Sequence, residues 1–492
     1  MWRQYGVPSP ALKRGAPAKS LLTRLAYLGG RAMVSTGACV SSLSPAHRAA
    51  LTAVVEACPD ASLAQLGVAV AAMPGDRAAE LAVIVGEEAR DRARRATAFA
   101  PLLPLFQARA DGVPALIFPP AVLARVWRAA VVGEEAFLPL LDGAATVDGE
   151  WTLAADRLCA RAAAVLRDRS SEVWPDFQRP AAGAPPSTPS ELAGCFDLTP
   201  LVRTALPRLS VWLERPDDNQ LAGLRLLIQD CLAVAPDGGR RMIDILFAHV
   251  ADAERMLRVV TRTSRLADRE VTLSHSDMGV FVERLLASVQ ARVQGVAALR
   301  SALTADAMQA VVDQVGWCAG VLAEMDISLQ IRPDSSWGKT ARMARVQVSG
   351  QLSGLMKSTA AAVHAALPMK RRPIAGRMTR MSPWLEAPAD GEPIEAAAAL
   401  LTAVAALRGA AVTFGCEADR AALKTEMTDY LSAWANEALD GVADGEVDNP
   451  DQALRLIGIA ARFLTLIEAL EAARAVRRRA ATAETARLPQ GA

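Results

Sequence analysis

Apolar positions follow the period of the α-helix along most of the chain. Val282, Leu286, Val289, Val293 and Val296 alternate steps of four and three, and Leu246, Val250, Ala253, Leu257 and Val260 do the same. Such spacing lays one apolar stripe along a helix and predicts near-antiparallel bundle packing. Each seam ends within about two to three heptads, too soon for an extended coiled coil. Helices are also predicted over 76–99, 395–408 and 419–439. A last one starts at Asp448-Asn449-Pro450-Asp451, which offers a cap and an early proline, and runs to about Arg479.

Breaks between these patterns are made by proline and glycine. Ser44-Pro45 reads as a helix cap followed by its first residue, and Cys58-Pro59-Asp60 and Met73-Pro74-Gly75-Asp76 read as turns between helices. Three prolines within 113–120 exclude a regular helix there. Alternating patterns are rare. Residues 327–331 look strand-like, and Asp148-Gly149 suits either a tight hairpin over 146–151 or a helix–helix loop. No internal period of a known repeat class is present. The fold class read from this pattern is all-α: helical bundle modules, with solenoid-like stacking as an alternative, and at most one small β-hairpin.

The breaks also divide the chain. A basic N-terminal arm occupies 1–44, a helical module 45–178, a Pro-rich linker 179–191, a central bundle 192–367, a basic Pro-rich loop 368–393, acidic helices 394–480 and a tail 481–492. The linker is marked by the run RPAAGAPPSTP, which has no apolar periodicity.

Composition strengthens the helical reading. The chain has 492 residues, 52% of them hydrophobic but only 4% aromatic, so Ala and Leu carry much of the apolar surface. Arginine outnumbers lysine 48 to 6, which together with abundant Ala, Gly, Pro and Val points to a GC-rich, bacterial coding sequence. Arginine content is therefore no argument for nucleic acid, since single-strand binders interleave basic residues with stacking aromatics. The seven cysteines form no CxxC pair and lie in no ligand spacing with histidine. Buried free thiols in a reducing, cytoplasmic setting are the expectation, with no metal site and no cofactor. The longest stretches free of charge, 32–47 and 61–75, fall short of the ~20 apolar residues a membrane span needs.

Charge changes the picture most. The chain's net charge is +1, yet residues 330–381 hold ten basic residues against Asp334, while 382–453 hold fourteen acids against three basic residues. Charge segregation of this kind reports an electrostatic surface or an internal docking face. A third charged stretch lies at the start, where seven basic residues precede the first acid, Glu56. Within that arm Leu21, Leu22, Leu25 and Leu28 recur at helical spacing, the pattern of a helix lying on an anionic membrane; its composition is also that of a mitochondrial presequence, but the preferred reading is a flexible basic tail whose one helix packs on the body.

Candidate chemistry is sparse. Ser336-Trp337-Gly338-Lys339-Thr340 resembles the end of a phosphate loop, but Pro333 stands where glycine is needed, which favours a plain helix start. Ser336 and Lys339 also have the spacing of a serine–lysine pair, without the further elements such a site needs. Of the four histidines, His249 lies one helical turn from Asp252, and Ser274-His275-Ser276-Asp277 has the composition of a helix cap ahead of 278–296. Adjacent acid pairs such as Glu87-Glu88 point about 100° apart on a helix and do not form a two-carboxylate site.

The anion- or partner-binding residues singled out are Lys370, Arg371, Arg372, Arg377 and Arg380, with Trp384 nearby, held in a loop by Pro368, Pro373 and Pro383. No catalytic residue is assigned. The expected function is a non-enzymatic helical interaction or scaffold protein that binds a protein partner, itself or an anionic surface. Two alternatives stand beside it. One is an enzyme with a dispersed site around His249, His275 and Lys339. The other is a binder of anionic membrane or nucleic acid that uses the arm or the 370–380 segment.

Overall fold

The computed structural model describes residues 43–142, 149–178, 187–214, 216–375 and 378–487. The basic arm 1–42, most of the linker (179–186) and Arg377 lie outside the described residues. The chain divides into two compact units, one comprising residues 1–103 and 124–165 and the other 104–123 and 166–492.

The first unit contains α1 (Pro45–Glu56), α2 (Asp60–Ala71), α3 (Asp76–Ala98), most of α4 (Pro120–Val131), α5 (Leu138–Asp142) and most of α6 (Glu150–Asp168). Ser44 caps α1 by accepting from the His47 amide, with Pro45 in the first turn. Gly75 adopts φ +105°, open to glycine at little cost, and so turns the chain from Pro74 into α3. The apolar stripes of α1, α2 and α3 meet in a core of Val55, Leu63, Leu66, Val70, Ile84 and Val85. On the polar side of α3, Arg92 donates to Glu88, Asp60 and the Val55 and Glu56 carbonyls, tying down the C-terminal end of α1. Trp127 stands edge-on to Phe99, and its indole N–H donates to the Asp91 carboxylate at 2.8 Å.

The second unit continues with α7 (Ser170–Val173), α8 (Pro189–Asp197), α9 (Thr199–Leu213), α10 (Asp218–Val234), α11 (Gly238–His249), α12 (Met256–Val260) and α13 (Glu270–Leu273). The longer helices follow: α14 (Gly279–Leu299), α15 (Ala305–Ser328) and α16 (Ser336–Ala366). An antiparallel pair, β1 (Met369–Ala375) and β2 (Met378–Pro383), precedes α17 (Glu392–Ala406), α18 (Arg408–Thr413), α19 (Glu417–Ala443), α20 (Pro450–Leu466) and α21 (Leu470–Arg487). α14 packs on α15 and α16, α16 on α17 and α19, and α19 on α20 and α21. The all-α class with one small hairpin is what the helical spacing predicts.

Several local expectations are corrected. A hairpin lies at 369–383; of the segment 146–151, residues 146–148 fall outside the described residues and Glu150 opens α6. The seam 246–260 is not one helix. α11 stops at His249, a 3-10 turn covers Ala253–Arg255, and α12 resumes at Met256. The break is held by Arg109, whose guanidinium donates to the Phe247, Val250 and Ala251 carbonyls and lies 4.1 Å above the Phe247 ring. Those carbonyls are the ones a continuing helix would have used. The segment 327–331 is not a strand: α15 runs to Ser328, and Gln330 makes one isolated bridge to Arg269. The last helix is two, parted at Glu468, which has φ +63°. Within 179–191, α8 already begins at Pro189, capped by Thr188 and Glu191 in a reciprocal box.

Two buried carboxylates in this unit are paired with arginine. Glu324 takes a two-pronged contact from Arg258 at 2.8 and 2.6 Å, and Asp244 takes one from Arg284 at 2.6 Å. Six cysteines, all but Cys39, are described, and each is a free, buried thiol. Burial pushes the Cys231 and Cys318 thiols up to about 12, the state of inert packing residues.

Candidate functional site

The basic segment expected as a loop is a two-stranded ribbon. Its prolines do not prevent pairing, because an edge strand can lose one amide without breaking the ladder, and the register slips between Pro373 and Ala375. The partners are Met369 with Pro383, Lys370 with Ser382, Arg371 with Met381, and Arg372 with Arg380. Directly opposed residues share a face. One face therefore carries Lys370, Arg372, Arg380 and Ser382, and the other Met369, Arg371, Thr379 and Met381.

Two like charges opposed at Arg372 and Arg380 would repel, and the acidic block separates them. Arg380 reaches Glu437 on α19 at 3.0 Å, while Arg372 and Lys370 lie 3.6 and 3.9 Å from Glu386. Lys370 also sits 5.8 Å from the centre of the Trp384 ring. Below the ribbon, α19 supplies two anchors. The Tyr430 hydroxyl donates to the Leu367 carbonyl at 2.6 Å, and the Trp434 indole donates to the Pro368 carbonyl at 3.2 Å. Burial pushes the Tyr430 hydroxyl up, so it stays a neutral donor. His364 packs edge-on against the same ring at 4.3 Å.

The other face is unspent. Arg371 is exposed and has no hydrogen bond or ion pair among the described residues. Its cross-strand neighbour Met381 is 48% exposed. Of the five residues singled out in the sequence, Lys370, Arg371, Arg372 and Arg380 share this ribbon, and Arg377 falls outside the described residues. Sequence reasoning missed Met381, Glu386 and Glu437. Alternation over 369–373 and 378–383 is the signal that could have found Met381, but the prolines mask it.

The other candidates take structural places. Ser335 caps α16 by accepting from the Gly338 amide at 2.9 Å, and a side chain at Gly338 would collide with the Arg332 carbonyl. That glycine serves close backbone packing beside Lys339. His275 bonds its Nδ1 to the Val271 carbonyl at 2.8 Å on an exposed turn, and His249 ends α11. α14 starts at Gly279, and neither Asp277 nor the N-cap residue Met278 supplies a side-chain cap to it. Among the described residues, no group of three or more His, Cys, Asp or Glu side chains could hold a metal ion, and no helix is long and apolar enough to cross a membrane. Comparison with known proteins adds no relative: no family model, no curated protein and no solved structure matches this chain.

Proposed function

We propose that this chain is a helical interaction protein whose hairpin docks an acidic segment of a protein partner. The observation that carries the reading is the split between the ribbon's two faces. Lys370, Arg372 and Arg380 lean on Glu386 and Glu437 of the acidic block, whereas Arg371 beside exposed Met381 has no acid of its own. A guanidinium beside an exposed, flexible apolar side chain matches the side-chain chemistry enriched at protein interfaces. Pro373 and the basic residues of β1 discourage addition of a further strand at that edge, so contact through side chains is favoured over backbone pairing.

Poly-glutamate is a suitable probe. The full chain is expected to bind it at low salt and release it as salt rises, with Arg371→Glu together with Met381→Ser weakening binding about tenfold, equivalent to ~1.4 kcal/mol. Equal binding by wild type and variant would remove the hairpin from the function. Binding to anionic vesicles with none to poly-glutamate would transfer the reading to a membrane surface.

A further inference from the structure

A cavity of about 180 Å³ lies in the second unit between the first turns of α11, the start of α8, the side of α14 and the irregular segment 115–117. One wall is apolar, made by half-buried Ala115, Leu116 and Ile117. The other carries three guanidinium groups, Arg240, Arg241 and Arg284. We propose that this cavity binds a small organic oxyanion, a carboxylate or a phosphate monoester, whose short apolar body lies along 115–117.

Donors around the cavity are not all met by acceptors. Arg284 is spent on Asp244, a carboxylate only 3% exposed that bonds it at 2.6 Å. One oxygen of Glu191, Oε2, accepts from the amide and hydroxyl of Thr188 at 2.8 and 3.1 Å. Arg241 gives its terminal nitrogens to the Glu191 and Ser190 carbonyls and to Asp237, but its Nε is buried with no partner. The Ser187 hydroxyl is buried and equally without a partner. Arg240 has only a loose contact to Asp237 at 3.8 Å. Two residues of the lining thus each carry a buried donor without a partner, beside one largely free guanidinium, and buried polar groups ordinarily find partners. The first turn of α11 adds to the imbalance. It has no acidic residue and two arginines at the end of the helix where the peptide dipoles are already positive.

The site is built rather than loose. Arg241 lies across Gly194 so closely that a Cβ there would overlap its guanidinium. The apolar wall is held by the Arg109 and Asp111 pair: Asp111 accepts from the Val113 amide at 3.1 Å, its carbonyl accepts from Arg292, and Arg109 grips the end of α11. A single water needs only about 10–15 Å³ of such space, whereas an engineered cavity of about 150 Å³ holds a benzene ring. The volume here therefore fits a body of about six carbons beside its anionic head.

Calorimetry on the full chain with hexanoate, phenyl phosphate, inorganic phosphate and neutral hexanol tests this. Hexanoate or phenyl phosphate is expected to bind with a Kd below about 1 mM, and whichever is tighter identifies the head group. Inorganic phosphate and hexanol should each bind at least about tenfold more weakly, since each supplies half of the recognition. Arg240→Gln, which disturbs only a loose contact, should cut affinity about tenfold with no change in the melting midpoint. Ser187→Ala should give a smaller loss in the same direction. Arg241 is unsuited to this test because it also holds α8. Absence of binding by both organic anions, hexanol binding as well as hexanoate, or an unaltered Kd in Arg240→Gln would each overturn the proposal.

Discussion

Glu324 shows how a single side chain on α15 fixes its neighbourhood. Burial pushes its carboxyl up, but the two-pronged contact from Arg258 and the Ser328 hydroxyl at 2.5 Å outweigh that cost and hold it below the ordinary glutamate range. A carboxylate with a depressed folded pKa stabilises the fold above its unfolded value of about 4.3 and loses that contribution as pH falls through the folded value. Glu324→Gln should therefore cost about 2–3 kcal/mol at neutral pH, since hydrogen bonds to a charged group are removed. The difference from wild type should shrink as pH drops below about 4. Urea denaturation at pH 7 and pH 3 measures both values. A cost that stays constant across that range would show that packing, and not ionisation, sets the role of this residue.

At the scale of elements, the turn between α20 and α21 is the clearest case of a break with no sequence mark. Leu466-Ile467-Glu468-Ala469-Leu470 contains neither glycine nor proline, so helical spacing alone carries 448–479 straight through. The chain nevertheless enters the left-handed region at Glu468, with φ +63°, and its amide donates to the Thr465 carbonyl while Ala469 donates to Leu464. This is the pattern of a helix C-terminal turn in which glycine normally occupies the left-handed position. Glu468→Gly should stabilise the protein by about 0.5–1 kcal/mol by removing the steric cost of a side chain at that φ. A lowered denaturation midpoint would mean that the 4.0 Å contact from Lys424 outweighs the backbone strain. Legibility follows from the same physics. The periodic stripe at 282–296 is readable because burial of one face is a local property of spacing. The broken 246–260 seam is not, because the group that breaks it, Arg109, comes from far away in sequence. The hairpin was half-readable: its basic residues stand out, but prolines at 373 and 383 conceal the alternation that would have separated its faces. The arginine cavity left one signal, the acid in Arg240-Arg241-Met242-Ile243-Asp244-Ile245-Leu246-Phe247, since an acid inside a buried apolar run demands a partner.

For the whole molecule, a division into two units makes a claim about cooperativity. α1, α2 and α3 close on their own core around Leu66, which is 7% exposed, while Leu322 on α15 is fully buried in the second unit. Truncating a buried leucine to alanine costs about 2–5 kcal/mol, part of it from the cavity left behind. If each core is its own folding unit, that loss stays within the unit that suffers it, because local opening follows contiguous cooperative blocks. Leu66→Ala should accelerate amide exchange across α1–α3 and leave α14–α16 protected, and Leu322→Ala should do the reverse. Exchange read by mass spectrometry on peptic fragments resolves the two. Should either substitution accelerate both sets of helices equally, the chain unfolds as one block, and a compact division by contacts would then carry no thermodynamic boundary.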